Sequence, residues 1–376
     1  MRPSRVTRET PAASGGRGWI RKLSFGALSV GLATACSAAF TSPSELQSLR
    51  VLGVQVSTPY AKPGSKVSFD LLYWDGSKRA YLPDGSPNPD HKVQILWLGG
   101  CHDPDGDLYY GCYPQLAARL AKLDPNAKTP PPELLEVVGL GPRFTETIPE
   151  DIITRKSTNS GDTVPYGLSF VFFAVCGGKI GPAPSGSTSA LPLGCYDPIT
   201  TEPLGADDFV IGYTPVYSYD TLTNNNPVVT GGTFDGKPGM VKACKADTDC
   251  DPKERCGKLE LCIPVVPHCT AKAVKDCQTY AIKPTLDQAK TVELDSAAPP
   301  IDGKTPEEFI WVAFYTSDGS LEKGLSLVND AQKGWNADYE GKWSAPNAKA
   351  GESRIWTVIH DNRGGTSWWW QDVYVD

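Results

Sequence analysis

Residues 166–176 read YGLSFVFFAVC, an almost unbroken apolar run rich in Phe and Val. A Gly/Pro/Ser-rich stretch follows it. Such a run reads as a strand covered on both faces, at the centre of a sheet. Strand signals surround it. LRVLGVQV (49–56) is β-branched, and KVSFDLLYW (66–74) sets Val67, Phe69, Leu71 and Tyr73 on one face by alternation. HKVQILWL (91–98) does the same with Val93, Ile95 and Trp97, and DFVIGYTPVYSY (208–219) reads as a closing strand bent at Pro215. PGSK (63–66) and DGSKRAYLPDGSPNPD (75–90) are turns. YPQLAARLAKL (113–123), with Leu116, Ala117, Leu120 and Leu123 near helical spacing, predicts a short helix on a crossover that ends before Pro130–Pro132. Strands joined by turn-rich connections predict an antiparallel β-sandwich over 49–223.

The pattern restarts at NNNPVVTGGTFDGKPG (224–239). It continues at TVELD (291–295), FIWVAFYT (309–316), SRIWTVIH (353–360) and SWWWQDVYV (367–375), the last two joined by DNRGG. Asn and Gly in that loop suit the positive φ angles of a hairpin. A second sandwich is expected over 224–376, containing a Cys-dense module at 244–277. The fold class is therefore all-β.

Composition agrees. The 376 residues are 40% hydrophobic and 21% charged, with 37 Gly, 33 Pro, 10 Trp and only 2 Met, which suits folded, turn-rich strands rather than disorder or coiled coil. The net charge of −7 argues against a nucleic-acid partner. No apolar run approaches the ~20 residues of a spanning helix.

The first 35 residues read as an export signal. Arg2, Arg5, Arg8, Arg17, Arg21 and Lys22 precede the short apolar stretch FGALSVGLATA (25–35), and small residues lead to Cys36. The end of that stretch resembles a bacterial lipobox, although Leu32 lies four residues before the cysteine where the pattern prefers three. Lipidation of Cys36 is the expectation; plain cleavage near Ala35 or Ala39 is the alternative. Cysteine parity favours the lipid: without Cys36, ten cysteines remain, an even number for an oxidising compartment. The cleaved chain keeps 30 basic and 42 acidic residues, a formal charge of −12, so membrane attachment would come from the lipid and not from a basic patch. Residues 36–48 are small and polar and read as a flexible tether.

The remaining cysteines read as scaffold. Cys101 and Cys112 flank one loop and Cys176 and Cys195 another, so local pairing is simplest, with 101–176 left open. Cys244, Cys250, Cys256, Cys262, Cys269 and Cys277 lie in 34 residues whose core is too small to fold unaided. CKADTDCDPKERC (244–256) resembles short repeats of the form CxxDxDCxxxxxC. Zinc is the rival reading, but no C-x2–4-C pair is present.

Taken together, the Cys36 signal end, LRVLGVQVSTPYAKPGSKVSFDLLYWDG (49–76), Trp97…Cys101, DDFVIGYTPVYSYD (207–220), NNNPVV (224–229), the Cys-rich stretch and IWTVIHDNRGGTSWWW (355–370) carry a resemblance. The chain resembles the large sets of cell-envelope lipoproteins encoded by myxobacteria and their relatives. The resemblance implies immunoglobulin-like sandwiches on a lipid-anchored envelope protein. It implies no activity and no cofactor.

Candidate sites are few. Asp103, Asp105 and Asp107 put three carboxylates in five residues, a weak calcium candidate against a polar turn shaped by Pro104 and Gly106. Among the four His, His102 lies near acids and His360 precedes Asp361 at a strand end, but no metal or catalytic motif contains them. If Val373 and Val375 mark the core face of the last strand, Trp369 shares it. Trp368 and Trp370 then face outward near Arg363, a possible ligand platform. The leading expectation is a non-catalytic binding or structural module on the outer membrane, where Ser37 after the lipidated cysteine would direct it in the best-known sorting scheme, with an envelope protein or polysaccharide as partner. A carbohydrate binder using Trp368 and Trp370 is the alternative, and an exported hydrolase the third.

Overall fold

The computed structural model of the chain describes residues 42–83, 86–122, 131–155, 164–184, 186–187, 191–240, 242–347 and 351–376. The signal segment and Cys36 lie outside the described residues. The fold is all-β, with two immunoglobulin-like antiparallel sandwiches. The first contains β1 (Leu49–Val56), β2 (Tyr60–Ala61), β3 (Lys66–Asp75), β4 (Gln94–His102), β5 (Val138–Leu140), β6 (Arg143–Thr147), β7 (Gly167–Cys176), the ribbon β8 (Lys179–Pro182) and β9 (Leu193–Tyr196), and β10 (Phe209–Ser218). Its two sheets have the orders β1-β3-β6 and β2-β10-β7-β4-β5. The first strand thus switches sheets, with β2 lying parallel to β10. The crossover helix, α1, covers Tyr113–Leu120.

Alternation explains the core. Val67, Phe69 and Leu71 of β3 meet Ile95 and Trp97 of β4 and Val171, Phe173 and Val175 of β7 between the sheets. The Trp97 indole N–H donates to the Gly141 carbonyl (2.8 Å), and its ring stacks on Phe144. The other face of β7, with Leu168, Phe170, Phe172 and Ala174, is covered by the crossover through Cys112, Leu116 and Leu134. All ten residues of β7 are therefore buried, as an unbroken apolar run requires.

The second sandwich contains β11 (Val229–Phe234), β12 (Lys237–Pro238), β13 (Glu254–Cys256), β14 (Cys262–Val266), β15 (Thr279–Leu286), β16 (Ile310–Thr316), β17 (Ser320–Leu321), β18 (Leu325–Asp330), β19 (Gly334–Trp335), β20 (Gly341–Ser344), β21 (Gly351–Asp361) and β22 (Thr366–Val375). Its sheets have the orders β12-β11-β15-β20-β17 and β13-β14-β22-β21-β16-β18-β19. Trp343, fully buried, donates its indole N–H to Thr316 Oγ1 and the Asp318 carbonyl, each at 3.0 Å. The Cys-dense stretch is part of this sandwich. Its bonds are Cys244–Cys256, Cys250–Cys262 and Cys269–Cys277. Between the second and third, β14 lies parallel to β22 at Val265 and Val266, the same role that β2 has in the first sandwich. Cys101–Cys112 and Cys176–Cys195 close local loops in the first sandwich.

A second apolar cluster joins the sandwiches. Leu52, Leu72 and Trp74, on the outer face of β1 and β3, meet Trp356, Val358, Trp368 and Trp370 on the outer face of β21 and β22. Gln55 Nε2 donates to the Thr366 carbonyl (2.9 Å), and Asn226 Nδ2 to that of Val56 (2.8 Å). Residues 42–48, expected as tether, are docked here. The Leu46 N–H donates to Thr316 O (2.9 Å), the Thr316 N–H to Ser44 O (2.8 Å), and Leu46 is buried in the seam. The reason is local: one leucine in a polar stretch supplies an anchor, and Gly76 lets the Leu46 carbonyl approach to where a Cβ would lie at 1.9 Å.

Because each sandwich covers an apolar face of the other, the two should unfold together. Scanning calorimetry of the purified chain should show one transition. Leu52→Asp, which puts a carboxylate into the dry seam, should split it into two, with the lower below the wild-type Tm. Two transitions in the wild type would contradict the seam.

Candidate functional site

The outward face of the last strand is not an open platform. Trp369 faces the core of its own sandwich, with Val373 and Val375, while Trp368 and Trp370 belong to the seam. Arg354 reaches over Trp370, 5.6 Å from the ring centroid, and holds Asp372 through two hydrogen bonds of 2.6 and 2.7 Å. The expectation of an open platform at Trp368 and Trp370 is corrected in part: both are half-buried, packed against the seam cluster that contains Leu52 and Trp356.

Arg363 is corrected too. It is 4% exposed. Its Nε donates to Glu308 (2.8 Å), and a terminal nitrogen donates to Glu293 (2.6 Å). Its guanidinium lies 5.4 Å from the ring centroid of Tyr60, a residue of the first sandwich. Asp361 accepts the backbone N–H groups of Arg363 and Gly365, each at 2.8 Å. The DNRGG loop is thus a closed polar hub at the junction. Burial is the largest influence on Asp361 and raises its carboxyl above the ordinary range.

His102 forms a series the sequence did not show. Its Nδ1 lies 2.9 Å from Ser169 Oγ and its Nε2 3.8 Å from Glu146 Oε1. Glu146 accepts the N–H of Gly100, and Arg119 of α1 donates to the carbonyls of Gly99 (2.6 Å) and Gly100 (3.0 Å). Ser, His and Glu in series suit acyl transfer, but Ser169 has no exposed surface and sits inside β7. No substrate carbonyl reaches it. Burial lowers His102 to about 4 and raises Glu146 to about 7, so the neutral forms are favoured. The cluster anchors the bulge between Leu98 and Cys101 to α1 and β6. Its members lie far apart in sequence, and only the Gly99–Gly100 pair signals an irregular strand.

The three aspartates shape a turn. Asp103 Oδ1 accepts the Leu168 N–H (2.7 Å), and Tyr166 donates its hydroxyl to Asp107 Oδ2 (2.7 Å). Asp103, Gly106 and Asp107 all have positive φ. Among the described residues, the cluster with metal-binding donors in mutual reach is Cys244, Cys250 and Cys262, whose sulfurs are in disulfides. Asp103, Asp105 and Asp107 do not converge.

Two surface features remain. One is a cleft of about 270 Å³ between Val51–Val54 of β1, Tyr213 and Thr214 of β10, and the tip of the β21–β22 hairpin from His360 to Thr366. His360 stacks on Trp311 and is lowered to about 4 by burial. The other, beside it, is an apolar patch. Tyr110 is 52% exposed and Tyr213 41%, with Leu108 and Ile211 also exposed. Tyr109 stacks on Tyr213, centroids 4.3 Å apart, and ties the turn closed by Cys101–Cys112 to β10.

No protein-family model and no curated protein matches the chain. Solved structures similar to it include the tandem Ig repeats of Dlar, 10% identical, covering 88% of this chain and 98% of that one with a TM-score of 0.22. The three N-terminal domains of the bacteriophage RB49 highly immunogenic outer capsid protein are 8% identical over 87% of this chain and 70% of that one, TM-score 0.17. Extracellular domains 3–5 of Drosophila OTK are 12% identical over 89% and 99%, TM-score 0.16. The immunoglobulin-like assignment rests on this chain's own strand order.

Arg363→Met should leave Glu308 buried without its cation and lower stability by about 3–5 kcal/mol in urea denaturation. Glu146 gives a pH test. The folded chain holds its proton up to about pH 7, whereas the ordinary value is 4.5. The associated stability is full below the ordinary value and is lost as pH rises through about 7. Glu146→Gln should match wild type near pH ~4 and exceed it at pH ~8. A variant less stable than wild type at the higher pH would contradict the assignment.

Proposed function

We propose that the chain is an exported, lipid-anchored envelope protein that acts by contact and not by catalysis. The observation that carries this reading is a contrast. The Ser–His–Glu series has its serine sealed inside β7 and its glutamate buried in β6, while Leu108, Tyr110, Ile211 and Tyr213 are exposed, Tyr213 at the rim of a cleft. Exposed, clustered apolar side chains suit a partner surface. The ten other cysteines pair in five disulfides, which suits an oxidising compartment and leaves Cys36 as the odd cysteine for a lipid. With Ser42 already beside the fold, five residues would separate the lipid from the docked segment. The six steps from Cys36 to Ser42, at about 3.5 Å each, reach at most ~21 Å, so the sandwiches would lie close to the membrane. Ser37 fits outer-membrane placement.

Wild-type protein should partition into the detergent phase. Cys36→Ser should either accumulate as precursor or become soluble, because the acyl chains are its membrane affinity. A wild type that is soluble and begins elsewhere by mass spectrometry would overturn the anchor. Turnover of esterase, peptidase or glycosidase substrates that is lost in His102→Gln would overturn the contact reading.

A further inference from the structure

The edge of β10 offers main-chain groups as well as side chains. Along one edge β10 pairs with β7 without interruption, from Phe209–Cys176 to Ser218–Gly167. Along the other it receives β2 only at Tyr217 and Ser218. Backbone groups of alternate residues point to opposite edges of a strand. The Tyr219 N–H donates to Ala61 O (3.1 Å), on the β2 side. Counting back by twos, Pro215, Tyr213 and Ile211 direct their groups to that same edge. Pro215 agrees, since a proline inside a ladder must turn its missing N–H away from the partner strand. Among the described residues, no main-chain hydrogen bond reaches Ile211 or Tyr213 from that side.

Three further observations converge on this edge. The side chains of Ile211 and Tyr213 are exposed; Tyr109 stacks on Tyr213, and the exposed Tyr110 packs in turn against Tyr109. Residues 209–218, FVIGYTPVYS, carry no charge and no Lys; Pro215 guards the length of edge next to β2, so the stretch left for pairing is at Ile211 and Tyr213. The cleft opens beside Tyr213 and Thr214, walled by β1 and by the hairpin of the second sandwich. At about 270 Å³ it has room for a few side chains and not for a folded domain. Farther along the same edge the chain itself already lays an extended segment, β2, against Tyr217 and Ser218.

We propose that this edge is a docking site for an extended, uncharged peptide segment of a partner protein, which adds as a strand beside β10 and continues the line of β2. The proposal rests on the contact reading above and names its partner class. Main-chain groups of Ile211 and Tyr213 would supply affinity. Alternate side chains of the segment would face Ile211, Tyr213 and Tyr110 outside, and the cleft inside. That predicts aromatic or branched residues at outward positions and compact apolar ones inward.

The probe is a phage-displayed library of random dodecapeptides, panned on the purified, disulfide-intact chain. Selected clones should be rich in Val, Ile, Thr, Tyr and Phe and poor in charge. Ile211→Pro removes one N–H from the free edge and leaves the β7 ladder intact, and it should weaken the corresponding synthetic peptides at least about tenfold. Should that variant not fold, Tyr213→Lys serves in its place. Amide exchange at Ile211 and Tyr213 should be fast in the free chain and slowed by bound peptide. No enrichment, or peptides whose binding both variants leave unchanged, would overturn the proposal. A dimer in sedimentation that Ile211→Pro converts to monomer would show that a second copy fills the edge. That would overturn the peptide assignment while leaving the contact reading intact, which the hydrolase assays test separately.

Discussion

The interaction on which the rest depends is the burial of two outer sheet faces against each other. Leu52, Leu72 and Trp74 on one side and Trp356, Val358, Trp368 and Trp370 on the other would be exposed apolar faces on separate domains. Joined, they are a second core between the sandwiches. Burial of apolar surface at ~25 cal/mol per Å² makes such a seam strongly favourable, and it fixes what each sandwich shows to solvent. The β21–β22 hairpin is spent on the junction, with Arg363 and Asp361 in its loop as a buried hub. The outer face of the first sandwich's larger sheet is then the face that carries exposed aromatics.

Much of the fold was legible in sequence because alternation and burial have the same period. The run at 166–176 reads as a central strand and is buried along all of β7. Val373 and Val375 identify the inner face of the last strand, and Trp369 lies there. The same logic could not say what covers the opposite face. Alternation assigns Trp368 and Trp370 to the outside of their own sandwich, but β1 and β3 of the other sandwich pack on that outside through Leu52, Leu72 and Trp74. Arg363 looked available because charged residues in hairpin loops normally are; here Glu293 and Glu308 meet it from distant segments.

Other features were hidden for related reasons. Polar composition at 36–48 reads as tether, yet backbone hydrogen bonds to Thr316 and Gly76 and the buried side chain of Leu46 dock residues 42–48. Within the Cys-dense stretch, Val265 and Val266 complete a sheet, a role that cysteine spacing conceals. The Ser169–His102–Glu146 series is set by topology alone, since β4, β6 and β7 bring together residues that no motif links. The free edge of β10 is visible only once β2 is known to stop after two residues.

Residue-resolved native-state hydrogen exchange tests the central claim, that the seam makes the two sandwiches one cooperative body. The slowest amides of β3 and of β21, on opposite sides of the seam, should exchange through one shared opening with the same free energy and the same denaturant dependence. An opening of β3 well below that of β21, with the smaller denaturant dependence of half the molecule, would mean that the sandwiches are independent and that the seam does not couple them.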